Sequence, residues 1–144
     1  MKQNLVSIII LNWNGLENTQ KCLRSVLKIN YKNYKIFVVD NGSENNEAYI
    51  LKKEFGNKVQ IYPLKTNLGF TGGCNYGIKK AKKINPDYYL LLNNDTEVDK
   101  NFLKDIVKTA SKDKKIGIVS PMIFDFDERT KIIFSGGYVK WLFG

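Results

Sequence analysis

Histidine is absent from all 144 residues. Imidazole acid–base chemistry and histidine metal ligation are therefore excluded. Cysteine is scarce: Cys22 and Cys74 are too few for a disulfide scaffold, and both fall on predicted helices as reduced thiols in or near the core. Arginine is scarcer than the charge suggests, since Arg24 and Arg129 are the only two among 23 basic side chains. The net charge of +9 admits nucleic acid, an anionic membrane surface or phosphorylated substrates as partners. Base readers and bidentate phosphate clamps favour arginine, so the lysine bias argues against nucleic acid. No apolar run approaches a membrane span and no signal-peptide pattern opens the chain. The expected location is cytoplasmic, with the inner face of the membrane as a further expectation. Without a secretory signal, the sequons Asn41-Gly42-Ser43 and Asn94-Asp95-Thr96 are treated as chance matches.

Three nucleotide signatures are missing as well. There is no GxxxxGK[ST] phosphate loop, no GxGxxG after the first predicted strand, and no acidic pair there of the kind a phosphoacceptor domain would use. Internal repeats and low-complexity segments are also absent.

What is present is alternation. Residues 5–11 form a β-branched apolar run and read as a buried strand. Helical spacing takes over at 16–28. A second strand over 34–39 ends on Asp40. A helix follows to about residue 55, with Ser43 as an imperfect cap, and Gly56-Asn57 ends it. A short strand over 59–62 closes at Pro63. A glycine-rich loop covers 66–73, and a helix with a lysine-rich solvated face follows it. Residues 88–92, Tyr-Tyr-Leu-Leu-Leu, read as the central strand, buried on both faces. Asp99 precedes a helix carrying Phe102, Leu103, Ile106, Val107 and Ala110. A fifth strand is expected over 116–120. Two short strands, 122–124 and 131–134, flank the acidic turn 125–128. Repeated strand–helix alternation predicts an α/β domain with a mostly parallel, Rossmann-like sheet and helices on both faces.

In such a sheet the strand exits share one edge, where open α/β folds bind ligands. Asn12, Asp40 and the run Asn93-Asn94-Asp95 all follow predicted strands. The loop from Asn67 to Gly73 would join them there. Asp40 can accept hydrogen bonds from a base or from ribose hydroxyls. The amides of Gly69, Gly72 and Gly73 can approach a ligand closely, because no side chain blocks them. Asp95 suits Mg²⁺ or Mn²⁺, which take one or two carboxylates and complete their shell with water and phosphate oxygens. Each feature alone is more simply a turn residue or a tight loop; their convergence is what points to a site.

Four segments then stand in a familiar order: Val6-Ser7-Ile8-Ile9-Ile10-Leu11-Asn12-Trp13-Asn14-Gly15, Val38-Val39-Asp40-Asn41-Gly42-Ser43, Asn67-Leu68-Gly69-Phe70-Thr71-Gly72-Gly73-Cys74-Asn75-Tyr76-Gly77 and Leu91-Leu92-Asn93-Asn94-Asp95-Thr96-Glu97-Val98. This resembles family 2 glycosyltransferases, and within them the rhamnosyltransferase-like branch. The resemblance implies a GT-A fold that binds a nucleoside-diphosphate sugar, UDP- or dTDP-linked, with a divalent metal. It places Asp40 at the nucleobase, Asn12 beside base and ribose, and Asn67 through Gly73 along the nucleotide and sugar. Asn93-Asn94-Asp95 stands where the family has its DxD motif, with Asn93 in place of the first aspartate and Asp95 as the metal ligand. Ser135-Gly136-Gly137 resembles a segment on the acceptor side. The resemblance further implies an inverting transfer to a saccharide or lipid-linked acceptor, as in cell-surface polysaccharide synthesis. Peripheral membrane association is expected from the lysine-rich faces, which solvated helix faces explain equally well, and a homo-oligomer from the apolar C-terminal aromatics. Nothing matches the acidic residue that serves the family as general base. Asp125, Asp127 and Glu128 read as a solvated turn, so the catalytic residue stays unassigned. The apolar ending Trp141-Leu142-Phe143-Gly144 follows a Gly-Gly loop, a poor place to end a domain. The expectation is one nucleotide-sugar-binding domain over 1–144, cut short at its C-terminal side. The alternative is a non-catalytic fragment or subunit that holds a nucleotide sugar without turning it over.

Overall fold

Strand β1 (Val6–Asn12) is buried at every position except Leu11. Its β-branched side chains suit a strand covered on both faces. The computed structural model describes residues 3–137 and divides into two compact units, Met1–Asn101 and Phe102–Gly144.

In the first unit β1 is flanked by β2 (Tyr34–Asp40) and β4 (Tyr88–Asn93), and β3 (Gln60–Pro63) lies outside β2. All pairings are parallel, in the order β3-β2-β1-β4. The connections run through α1 (Leu16–Val26), α2 (Glu47–Phe55) and α3 (Gly69–Ala81). The chain steps outward from β1 to β3, then α3 carries it back across to the far side of β1. That reversal makes a topological switch point between the exits of β1 and β4. The register aligns those exits: Asn12 lies opposite Asp40, and Leu11 opposite Asn93.

Helix α3 packs on β1 and β2 over a core of Ile9, Phe37 and Ala81, flanked by Tyr62 and Ile78. Glycine is what permits so close an approach. A Cβ on Gly77 would stand 2.6 Å from Ile9 Cγ2 and 3.2 Å from Val39 Cγ2, both on stiff, buried β-branched residues.

In the second unit α4 spans Phe102–Ala110, and Leu103 is its fully buried residue. Just before it, Asp99 Oδ1 accepts the Asn101 amide at 2.7 Å, as a helix-initiating aspartate should. Strands β5 (Ile123–Phe124) and β6 (Ile132–Phe134) pair antiparallel. Between them Asp125 Oδ1 accepts the amides of Asp127 and Glu128, each at 3.0 Å, which makes this acidic cluster a turn. The ending 141–144 lies outside the described residues. Among the described residues, no helix is long and apolar enough to cross a membrane.

Four expectations need correction. The run 88–92 is not a central strand buried on both faces. It is the edge strand β4, with alternating burial that leaves Tyr89 42% and Leu91 47% exposed. An apolar run alone does not tell whether a second layer covers it. No strand forms over 116–120, where Ile118 is almost fully exposed, because β-branched composition supplies no pairing partner. Helix α2 begins at Glu47 behind a left-handed Asn46 (φ 52°), not at Ser43, whose hydroxyl is used elsewhere. The glycine-rich segment is mostly helix: α3 starts at Gly69, so Gly72 and Gly73 lie inside it.

Replacing Gly77 should test the α3 contact. Gly77→Ala gains about 1 kcal/mol of helix propensity but overpacks a stiff core, for a net loss of about 1–2 kcal/mol in urea unfolding. Unchanged or raised stability would show that the sheet can yield beneath α3.

Candidate functional site

Where β1 ends, Asn12 turns a fully buried amide into a polar knot. Its Nδ2 donates to Asp40 Oδ1 at 2.9 Å and Glu47 Oε2 at 2.8 Å, with Ser43 Oγ at 3.2 Å. Its Oδ1 accepts the Thr19 hydroxyl at 2.6 Å. Thr19 Oγ1 in turn accepts Asn94 Nδ2 at 2.9 Å. A chain of hydrogen bonds therefore runs from the start of α2, under the β1 exit, to the β4 exit. Glu47 Oε2 also accepts the Gly15 amide at 3.1 Å, and Ser43 Oγ accepts the Asn14 amide at 3.0 Å while donating to Asp40 Oδ1. Buried carboxylates need such donors, and here they receive them from neutral side chains and backbone.

A second knot ties α3 to β2. Asn41 Nδ2 donates to Asn67 Oδ1 at 2.7 Å and to the Gly69 carbonyl at 3.2 Å, and Asn41 Oδ1 accepts the Leu68 amide at 3.0 Å. Asn67 Oδ1 also accepts the Gly69 amide at 2.7 Å. Gly69 sits at φ +70°, so glycine is needed there for its backbone conformation, not for want of space.

Between the exits of β1 and β4 lies a cleft of about 290 Å³, lined by Leu11, Trp13, Phe70, Asn93, Asn94 and Asp95. Trp13 and Phe70 are exposed apolar walls, 55% and 60% accessible. The polar side comes from the β4 exit. Asn94 is held inward by Thr19, while the carboxylate of Asp95 is exposed and takes no hydrogen bond from the described residues. The Asn93 carbonyl accepts the Thr96 hydroxyl at 2.7 Å and the Cys22 thiol at 3.6 Å, which fixes the turn.

The predicted site residues thus fall into three groups. Asn93, Asn94 and Asp95 meet at the cleft. Asn12 does not present a free side chain and holds the knot beneath the edge, while Asn67 is exposed and spends its Oδ1 on Asn41 and Gly69. Asp40 is only 4% exposed, and one of its oxygens, Oδ1, is engaged. The amides expected at Gly72 and Gly73 are spent in the helical ladder. A Cβ on Gly73 would lie 2.3 Å from Leu11 Cδ1, so that glycine serves helix–strand contact. Four amides at the start of α3 lack an intrahelical acceptor: Leu68 donates to Asn41 Oδ1 and Gly69 to Asn67 Oδ1, which leaves those of Phe70 and Thr71. Sequence reasoning missed Trp13, Phe70, Thr19 and Glu47 as site residues. For the aromatics a signal existed, since each sits next to a strand exit or a turn glycine where burial is not expected. For Thr19 and Glu47 none existed.

Among the described residues no three carboxylate or thiol groups cluster to hold a metal unaided. One free carboxylate beside a cleft fits a magnesium- or manganese-type ion that takes most of its ligands from phosphate and water.

The family model described as glycosyl transferase family 2 matches residues 7–141. The chain belongs to that family. The poly-beta-1,6-N-acetyl-D-glucosamine synthase of Staphylococcus aureus is 28% identical over 116 residues, covering 80% of this chain and 27% of the relative. An uncharacterized glycosyltransferase of Rickettsia typhi is 38% identical over 99 residues, 66% of this chain and 30% of that protein. Among solved structures, S. aureus TarS 1-349 in complex with UDP-GlcNAc superposes with a TM-score of 0.66 at 19% identity, over 87% of this chain and 42% of that one. The mannosyltransferase PcManGT from Pyrobaculum calidifontis, in complex with GDP-Man and Mn²⁺, superposes at 0.64 and 13% identity, over 78% and 34%. The fold is therefore the GT-A fold. The chain spans about a quarter to a third of the length of the curated relatives it matches. In this glycosyltransferase domain the β1 exit and the β4 exit are one hydrogen-bonded assembly.

Removing the centre of that assembly should be costly. Asn12→Ala leaves Asp40, Glu47 and Thr19 short of a partner and is expected to lower stability by about 3 kcal/mol in urea unfolding. A loss under about 1 kcal/mol would mean that water replaces the amide. Burial pushes the Cys22 thiol from 9.0 up to about 11; Asp95 and Glu97 add to the rise, and a contact from Thr96 opposes it. The native state therefore favours the protonated thiol. That contribution is complete below pH 9 and is lost as pH rises to 11, amounting to about 2–3 kcal/mol. Unfolding free energy measured from pH 8 to 11 should fall less steeply in Cys22→Ala than in the parent, and equal slopes would refute the assignment.

Proposed function

We propose that this chain is the donor-binding portion of a glycosyltransferase that moves a sugar from a nucleoside diphosphate to a saccharide or lipid-linked acceptor, by a metal-assisted, inverting displacement. The observation that carries the reading is the cleft at the switch point, which sets two exposed aromatic walls against an unengaged carboxylate. Relatives described with UDP-GlcNAc and with GDP-Man support a nucleotide-sugar donor.

The roles divide along the cleft. Trp13 or Phe70 offers a face on which a planar base or a sugar ring can stack. Asp40, with one oxygen uncommitted, suits an N–H of the base; its other oxygen is oriented by Asn12 and Ser43. The amides of Phe70 and Thr71 open the positive end of α3, which favours phosphate oxygens. Asp95, with Asn93 beside it, would hold Mg²⁺ or Mn²⁺. When bound, such an ion offsets the charge that develops on the diphosphate leaving group. No carboxylate of the described residues is assigned as general base. That gap favours a second reading, a domain that holds the donor without turning it over.

Calorimetric titration with UDP and dTDP, with and without Mn²⁺, tests the donor site. Binding of one nucleotide should tighten with Mn²⁺. Asp95→Asn should abolish the tightening and leave metal-free affinity intact. Trp13→Ala should weaken binding about tenfold. Binding of neither nucleotide would sink the donor reading, and an Asp95→Asn variant that still responds to Mn²⁺ would sink the metal assignment. Turnover of a donor sugar by this chain would exclude the second reading.

A further inference from the structure

The hydrogen bonds beneath the cleft have a fixed polarity. Asn12 Nδ2 faces the carboxylates of Asp40 and Glu47, and a carboxylate can only accept. Asn12 Oδ1 is therefore turned the other way, onto Thr19. The Thr19 hydroxyl carries a single proton, and that proton goes to Oδ1 at 2.6 Å. What Thr19 has left for the β4 exit is a lone pair, so residue 94 must bring a donor. Asn94 brings one, with its Nδ2 lying 2.9 Å from Thr19 Oγ1. An aspartate at 94 would set lone pair against lone pair. The carboxylates at the β2 exit and the start of α2 thus dictate, through Asn12 and Thr19, which chemistry the β4 exit can carry.

The turn after β4 is fastened at both ends by its backbone. The Asn93 carbonyl accepts the Thr96 hydroxyl at 2.7 Å, and the Val98 amide donates to Ser25 Oγ at 3.1 Å. Between those points Asn94 is the side chain that reaches the buried network, and the exposed Asp95 follows it directly. The place of the amide is cleared by Gly15: a Cβ there would stand 2.7 Å from Asn94 Nδ2. Thr19 itself is fully buried and does not line the cleft.

We propose that Thr19 is a positioning residue for the metal end of the cleft: through Asn94 its hydroxyl fixes the turn that presents Asp95. The inference rests on the donor reading for what Asp95 would hold, whereas the positioning itself is read without nucleotide. A threonine that served only the packing of α1 on β1 would move stability and leave the metal response alone.

Thr19→Val keeps the shape and removes the hydroxyl. In calorimetric titration of the full chain with UDP and dTDP, the factor by which Mn²⁺ tightens binding should fall about tenfold or disappear, as for other groups that orient a metal ligand from behind. Metal-free affinity should stay at the parent's value, and Thr19→Ser should restore the metal response. Because Thr19 acts through Asn94, the double variant Thr19→Val, Asn94→Ala should lose no more than Asn94→Ala alone. Without nucleotide, amide hydrogen exchange over residues 94–97 should speed up in Thr19→Val and Asn94→Ala alike, while β2 keeps its protection. If Thr19→Val fails to fold, Gly15→Ala takes its place, since the added Cβ displaces the Asn94 amide and leaves the hydroxyl intact. A parent-like Mn²⁺ response, additive losses in the double variant or unchanged exchange over 94–97 would each overturn the proposal. A parent chain that binds neither nucleotide would sink the donor reading, and the exchange rates would then decide the positioning role by themselves.

Discussion

The first unit depends on the amide of Asn12. A buried amide with two N–H groups faces three oxygen acceptors, two of them on carboxylates, at the spot where β1 leaves the sheet. Two buried acidic groups would repel one another and suffer desolvation without that donor. With it, β1, β2 and α2 are fastened at one point, and Thr19 carries the connection to the β4 exit. The cleft stands on a rigid polar base for this reason, and its free groups, Asp95 above all, are not needed to hold the fold.

That separation of tasks has a functional sense. Groups that must change partners when a ligand arrives should not be structural, and groups that set geometry should be buried and fully partnered. Asn12, Asn41 and Thr19 meet the second condition, while Asp95, Trp13 and Phe70 meet the first. The glycines of α3 belong to the structural set. They bring the helix near enough to β1 that its N-terminal turn, with Phe70, opens on the cleft.

Charge is distributed on the same plan. Acidic side chains gather at the strand exits and lysines at the strand starts, so one domain presents two electrostatically different edges. The net charge of +9 is the sum of these and by itself conceals them.

The alternation of apolar strands with helical spacing was legible in the sequence, and so were α4 with its leading aspartate, the small hairpin of the second unit and the convergence of Asn93, Asn94 and Asp95. These follow from periodicity and from the rule that parallel strands end on one edge, both local or nearly local properties. Burial of β4 was not legible, because an apolar run does not record whether another layer covers it. Nor was the absence of a strand at 116–120, since pairing needs a partner distant in the chain. The hydrogen-bond partners of Asn12 and Asn67 were not legible for a related reason. An asparagine after a strand looks the same whether it faces a ligand or a buried carboxylate, and only the arrival of Glu47, 35 residues away, decides which. The sequence by itself determined the order of elements, the edge on which chemistry would gather and the identity of the groups found there. The tertiary structure decided which of those groups are spent on one another and which remain free, because hydrogen-bond partners are chosen by distance in space and not by distance along the chain.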